Sequence, residues 1–243
     1  MNLLSIFRSS PEKQIEKARK KVKEPHGDSA NRINAAYRLL EIGTPEAILA
    51  LLDRFTIDVS PSSQDEEEKE DVLRQIVKRG EGAVSALINF LERERQVYWP
   101  VRALKEILLT KEFEEKINEI LQYQWENPPA SSDPKAQLIQ LLEVPESTKL
   151  VATMKMFLED EADDVRLAVL DHLFHCSEEE SREDILRCYL NSEDRPRVQG
   201  QIMAKFIEKQ WSVKGFRPQI EENLPEGHML TREGKVKITG SNR

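Results

Sequence analysis

Two histidines and two cysteines lie close together in the last third of the sequence. His172 and Cys176 are four residues apart, so one helix face would present both, with His175 beside them and Cys188 on the following predicted helix. Imidazole and thiolate are ligands that zinc prefers, but the short fixed spacings of zinc sites, such as C-x-x-C, are absent. We favour the alternative, a histidine facing solvent and a cysteine packed between helices, and predict no metal site.

Acidic residues recur in clusters that could hold calcium or perform acid–base chemistry. The clusters are Asp65-Glu66-Glu67-Glu68, Glu159-Asp160-Glu161 with Asp163-Asp164, and Glu178-Glu179-Glu180. Each stands at a predicted helix start, where the helix dipole favours negative charge without any ligand. EF-hand spacing, a glycine-rich phosphate loop and a nucleophile elbow are all absent from the sequence. We therefore predict no catalytic residue set and no cofactor.

The composition favours solvated amphipathic helices. Charged residues make up 33% of the 243 residues, aromatic residues 6%, and there are 9 glycines. The net charge of −8 disfavours nucleic acid as a partner, because phosphate binding needs a concentrated basic face. No apolar run approaches the ~18 residues of a membrane span, and two cysteines are too few for a disulfide framework. These features predict a cytoplasmic protein without stable membrane insertion.

The first predicted helix, residues 11–23, is basic. Six cations and two acids give it a net charge of 6 − 2 = +4. With the apolar residues Leu3, Leu4, Ile6 and Phe7 upstream, it could make weak surface contact with a membrane or bind nucleic acid. The alternative, which we favour, is a lid over the first repeat with its lysines in solvent.

A loose repeat sets the architecture. Apolar residues recur at intervals of 37, 31, 35, 31 and 33, at Leu39, Ile76, Ile107, Leu142, Leu173 and Phe206. A period in this range predicts stacked helix pairs. We expect an all-α fold, an α-solenoid of about six antiparallel helix pairs, with a capping segment at 1–27, the array at 28–224 and a tail at 225–243. In the tail, Gly234 between Met229-Leu230 and Val236-Lys237-Ile238 predicts a small β-hairpin.

Several segments resemble bacterial HEAT-repeat proteins, including those with phycobilisome-lyase-type repeats. The matching segments are Arg32…Ala35…Leu39…Ile42-Gly43, Gly82-Ala83-Val84…Leu87…Leu91, Pro100-Val101-Arg102-Ala103…Ile107 and Asp164-Val165-Arg166…Leu173. The resemblance implies that first helices line a convex face and second helices a concave face. It specifies no activity, because HEAT arrays serve many unrelated tasks.

Three functions are open at this point. The first is a non-catalytic scaffold that binds a protein partner on the concave surface, through Arg54, Arg95, Tyr98, Tyr123, Trp125, Lys155 and Arg187. The aromatic members belong to a group of four, with Trp99, that fall in one repeat and suit either an interface or the core. The second is a bilin lyase or isomerase, by the family resemblance. The third, recognition of DNA lesions, is opposed by the acidic charge.

Overall fold

The computed structural model describes residues 10–129 and 131–239, which are mostly helical. These residues divide into two compact units on either side of the Pro134–Lys135 bond. Residues Leu3, Leu4, Ile6 and Phe7, part of the predicted capping segment, lie outside the described residues. No helix within the described part of the chain is both long enough and apolar enough to cross a bilayer.

Unit 1, the part before Lys135, contains three consecutive helix pairs preceded by the basic helix. Its helices are α1 (Pro11–Val22), α2 (Ser29–Ile42), α3 (Pro45–Leu52), α4 (Ser62–Arg79), α5 (Val84–Leu91), α6 (Tyr98–Ile107) and α7 (Thr110–Glu126), with 3₁₀ turns at Asp53–Thr56 and Gly80–Ala83. The first helices contact one another in the order α2, α4, α6, and the second helices in the order α3, α5, α7.

The turn between α2 and α3 shows how the sequence reverses the chain between the two helices of a pair. Gly43 ends α2 in the left-handed conformation at φ 66°, which a residue without a Cβ adopts at little cost. The Thr44 side chain then accepts a hydrogen bond from the Ala47 amide at 3.3 Å, and Pro45 occupies the first turn, where no amide donor is needed. The chain reverses within these few residues.

Unit 2 contains further helices and the hairpin. Its elements are α8 (Asp133–Gln140), which begins at the division, α9 (Thr148–Met156), a 3₁₀ turn at Phe157–Glu159, α10 (Asp163–Leu173), α11 (Glu178–Leu190), α12 (Pro196–Lys209), α13 (Arg217–Glu222), β1 (His228–Leu230) and β2 (Val236–Ile238). Helix α10 packs against α9, α11 and α12, and α12 also contacts β2.

The predicted hairpin in the tail is confirmed. Strands β1 and β2 pair antiparallel with Leu230 opposite Val236, and both of these side chains are buried. Gly234 in the turn has φ 76°, and its carbonyl accepts a hydrogen bond from the Val213 amide at 2.8 Å. The hairpin thus buries two apolar side chains, and β2 packs against α12.

Candidate functional site

A cluster of charged side chains is buried between α2, α3 and α4. Glu68 accepts hydrogen bonds from both nitrogens of the Arg32 fork at 2.8 and 2.9 Å and from Nε of Arg54 at 3.0 Å. Asp65 accepts from Arg54 and pairs with Lys69, each at 2.7 Å. The side chains of Arg32, Arg54 and Glu68 are 3%, 2% and 5% exposed. Arg54, expected on a binding face, is therefore an interior residue that joins helices.

The two carboxylates of this cluster remain ionised in the folded chain. Burial by itself raises the pKa of Glu68, but hydrogen bonds from Arg32, Ser29 and Arg54 outweigh burial and lower it. Burial likewise opposes the hydrogen bonds from Lys69 and Arg54 that lower the pKa of Asp65. Asp65 and Glu68 therefore fix the packing of helices. Asp65 also lies in the first turn of α4, which begins at Ser62, where the helix dipole favours its charge.

An aromatic and arginine cluster lies at the start of α6. Trp99 stacks on Phe55 with ring centroids 5.8 Å apart, and Tyr98 meets Trp99 edge-on at 5.3 Å. The guanidinium of Arg102 lies over both rings, 5.6 Å from the Tyr98 centroid and 5.1 Å from that of Trp99, and pairs with Glu70 of α4 at 2.8 Å. Tyr98 itself is 46% exposed, so this ordered cluster reaches the surface. Arg102 is not among the site residues expected from the sequence.

A second exposed tyrosine lies on the same row of helices. Tyr37 of α2 is 44% exposed, and the charge of Asp71 on α4 raises its pKa. Since α4 contacts both α2 and α6, one surface carries aromatic and charged groups from all three helices. We call it the first-helix surface, and it comprises Tyr37, Glu70, Asp71, Tyr98 and Arg102.

The other expected site residues of unit 1 lie elsewhere on it. Arg95 is exposed in the loop between α5 and α6. Tyr123 and Trp125 are each 37% exposed in the last turn of α7, which belongs to the row of second helices. They are accessible, on a different row from Tyr98.

The two expected site residues of unit 2 differ in how firmly their side chains are held and in how exposed they are. Lys155 donates a hydrogen bond to the carbonyl of Glu180 at 2.6 Å and pairs with Asp184 at 2.7 Å, so its ammonium group is held by α11. Arg187 is exposed, and its guanidinium lies 6.0 Å from the ring centroid of Phe216. Of this pair, Arg187 offers more of its side chain to solvent.

The histidine and cysteine group is not assembled into a metal site. Nε2 of His172 lies 2.7 Å from the carbonyl oxygen of Ile139, and burial lowers the pKa of the imidazole. The thiol of Cys188 is buried and donates to the carbonyl of Leu158 at 3.5 Å, while Cys176, beyond the end of α10, donates to the carbonyl of His172 at 3.7 Å. Among residues 10–129 and 131–239, no three His, Cys, Asp or Glu side chains converge to hold a metal ion.

The chain was also compared with known proteins. No protein-family model, no curated protein sequence and no solved structure matches it.

Proposed function

We propose that this chain is a non-catalytic binding module and that the first-helix surface of unit 1 takes a protein partner. The observation that carries the proposal is the arginine and aromatic cluster at Tyr98. There, an exposed tyrosine and a guanidinium are fixed together by Trp99 and Glu70. Tyrosine, tryptophan and arginine are the residues that most often dominate protein interfaces.

The arrangement of Arg102 favours binding in two ways. Its guanidinium is already positioned by the carboxylate of Glu70 and by two rings, so ordering it on association costs little conformational entropy. Its side chain is still 32% exposed, which leaves donors available to a partner. The surface also carries Asp71, and such mixed charge suits a polar protein surface better than a polyanion.

A HEAT-like repeat is part of the same proposal. It is supported by the packing of first helices on first helices and second helices on second helices in unit 1. Buried cations in first helices provide further support, at Arg32, Lys135 and Arg166 near the starts of α2, α8 and α10 and at Lys69 in the middle of α4. Arg32 and Lys69 are 69 − 32 = 37 residues apart, and Lys135 and Arg166 are 166 − 135 = 31, which match two intervals of the apolar repeat. A cytoplasmic location is also proposed, consistent with two free thiols.

Quantitative affinity capture from the native cell, with mass spectrometry, tests this function. Tyr98→Ala is expected to weaken the affinity for a specific partner about thirtyfold or more and to reduce its recovery accordingly, since removing an interface hot spot costs about 2 kcal/mol or more. Tyr123→Ala is the matched control, a second exposed tyrosine that lies on the second-helix row, and is expected to leave recovery unchanged. Loss of the partner only with Tyr123→Ala, or identical recovery with every variant, would contradict the proposal.

A further inference from the structure

A groove runs between α1 and α2, on a part of unit 1 that the proposed function does not use. It has a volume of roughly 320 Å³, which is within the range of small-molecule sites. Its polar lining consists of Gln14, Lys17 and Lys21 from α1 and Asn31, Asn34 and Arg38 from α2. No carboxylate of the described chain lines this groove.

The cations of α1 divide into two sets. Arg19 and Lys23 both pair with the buried carboxylate of Asp53, at 2.5 and 3.6 Å. Lys17 and Lys21 are exposed, and neither forms an ion pair with any residue that the structure describes. The groove therefore receives two of the three exposed lysines of α1 that form no ion pair in the described chain, the third being Lys13, in a chain whose net charge is −8.

The opposite wall adds a third cation and two side-chain amides. Arg38 donates to Gln14 at 2.6 Å and to Glu41 at 2.7 Å, so it is anchored to α1 and to its own helix. Asn31 and Asn34 are three residues apart on α2, so they lie on one face with their amide donors available to a ligand.

Small residues create the space at the bottom of the groove. Ala18 of α1 and Ala35 of α2 line its floor, and each is 5% exposed. Because neither side chain extends beyond Cβ, the two helices pack closely while the longer polar residues rise on both sides.

We propose that this groove binds a small ligand bearing a diphosphate group. Lys17 and Lys21 are one turn apart, about 6 Å along the helix axis, so they favour two linked anionic groups over a single one. The lysines supply charge, while the arginine and the two amides donate the hydrogen bonds that phosphate oxygens accept. The cavity is too short for an extended strand of nucleic acid, in agreement with the acidic net charge of the chain.

Calorimetric titration of the full chain with inorganic pyrophosphate, combined with NMR of the asparagine side-chain amides, tests this inference. Saturable binding is expected, with shifts centred on Asn31 and Asn34. The Lys17→Gln/Lys21→Gln double variant is expected to weaken binding at least about tenfold, because two charge-assisted contacts are lost. Asn34→Ala on the opposite wall is a second variant, expected to weaken binding by a smaller factor.

Lys13→Gln/Lys20→Gln is the matched control, with the same charge change on the same helix but at residues outside this groove. The affinity of this control variant for pyrophosphate is expected to stay within about twofold of that of the unsubstituted chain. Parallel titrations with inorganic phosphate and with vesicles containing phosphatidic acid separate a free diphosphate ligand from a lipid headgroup. Equal weakening by both double variants, binding to vesicles alone, or no pyrophosphate binding at millimolar concentration would overturn the inference.

Discussion

Both units bury an arginine near the start of a first helix, but the groups that accept its hydrogen bonds differ. In unit 1, Arg32 binds the carboxylate of Glu68, which also binds Arg54. In unit 2, Arg166 donates to the carbonyl of Asp160 at 2.6 Å and to the hydroxyl of Ser192 at 3.0 Å. The two arginines have similar positions in their helix pairs, while the partner of Arg32 is an ionised side chain and the acceptors of Arg166 are neutral oxygens.

This difference indicates how much stability each unit should lose when a partner of its buried arginine is removed. Removing the charge of Glu68 leaves the buried guanidinium of Arg32 without its carboxylate partner and Arg54 with Asp65 alone, which is costly. Removing a neutral acceptor from Arg166 costs the smaller free energy of an unmade hydrogen bond. The Arg32 contact therefore depends on an ionised carboxylate, whereas the two acceptors of Arg166 do not titrate. The buried ion pair of unit 2 is a different one, between Lys135 and Asp160.

The largest effect is expected from Glu68→Gln. The change keeps the side-chain shape but removes the negative charge between Arg32 and Arg54, and should destabilise unit 1 by about 3–5 kcal/mol. Hydrogen exchange measured by mass spectrometry would locate the loss in unit 1. Glu41→Gln is the control, since its ion pair with Arg38 is more than half exposed on both sides, and it should cost less than about 0.5 kcal/mol. Equal losses for the two variants would refute the comparison.

Ser192→Ala should have an intermediate effect, confined to unit 2. The hydroxyl accepts from Arg166 and donates to the carbonyl of Cys188 at 2.6 Å, so its removal should cost about 1–3 kcal/mol. Ser181→Ala is the matched control, because Ser181 is equally buried and its hydroxyl has no hydrogen-bond partner in the described chain. Urea unfolding that ranks Ser181→Ala as the more damaging change would show that the Arg166 contacts are energetically unimportant.

The smallest expected effect is on the pH dependence of stability. The two units should lose stability over different ranges of pH. Burial lowers the pKa of His172, so the unfolded chain binds its proton more readily, and stability falls as pH drops below the ordinary value of 6.5. The pKa of Glu68 is also lowered, so its contribution is present above the ordinary value of 4.5 and is lost as pH falls through the folded-state pKa.

Hydrogen exchange between about pH 7 and pH 3 would separate these windows. Unit 2 should weaken first and unit 1 only in the more acidic range. His172→Gln keeps a donor near Ile139 without titrating, and should flatten the response of unit 2 between about pH 7 and pH 5. A response of unit 2 that is unchanged in this variant would exclude His172 as its cause.

Local signals in the sequence were sufficient to predict where several helices begin or end. Ser10-Pro11 and Thr44-Pro45 mark the starts of α1 and α3, and Gly43 marks the end of α2, because capping depends on neighbouring residues. The hairpin around Gly234 could be predicted for the same reason, as its turn and its apolar residues lie within a short stretch.

Contacts between distant residues were not predictable in this way. Arg54 is basic and close to a loop, which suggests exposure, but its partners Asp65 and Glu68 are on the next helix. Arg32 and Glu68 are 36 residues apart, and Arg102 and Glu70 are 32 apart, so neither pair can be inferred before the helices are packed. Asp65 lies in the first turn of α4, as the helix-dipole argument predicts, but that local argument does not reveal its ion pair with Arg54 or the burial of Glu68.

Site-specific photocrosslinking in the native cell tests the central claim, that the first-helix surface contacts a protein partner. A benzophenone amino acid would replace Tyr98, and in a parallel chain Met156 of unit 2, which is 39% exposed. The account predicts one discrete protein adduct from position 98, absent from position 156 and lost when Arg102→Glu is added. The absence of an adduct at position 98, or the same adducts at both positions, would contradict it.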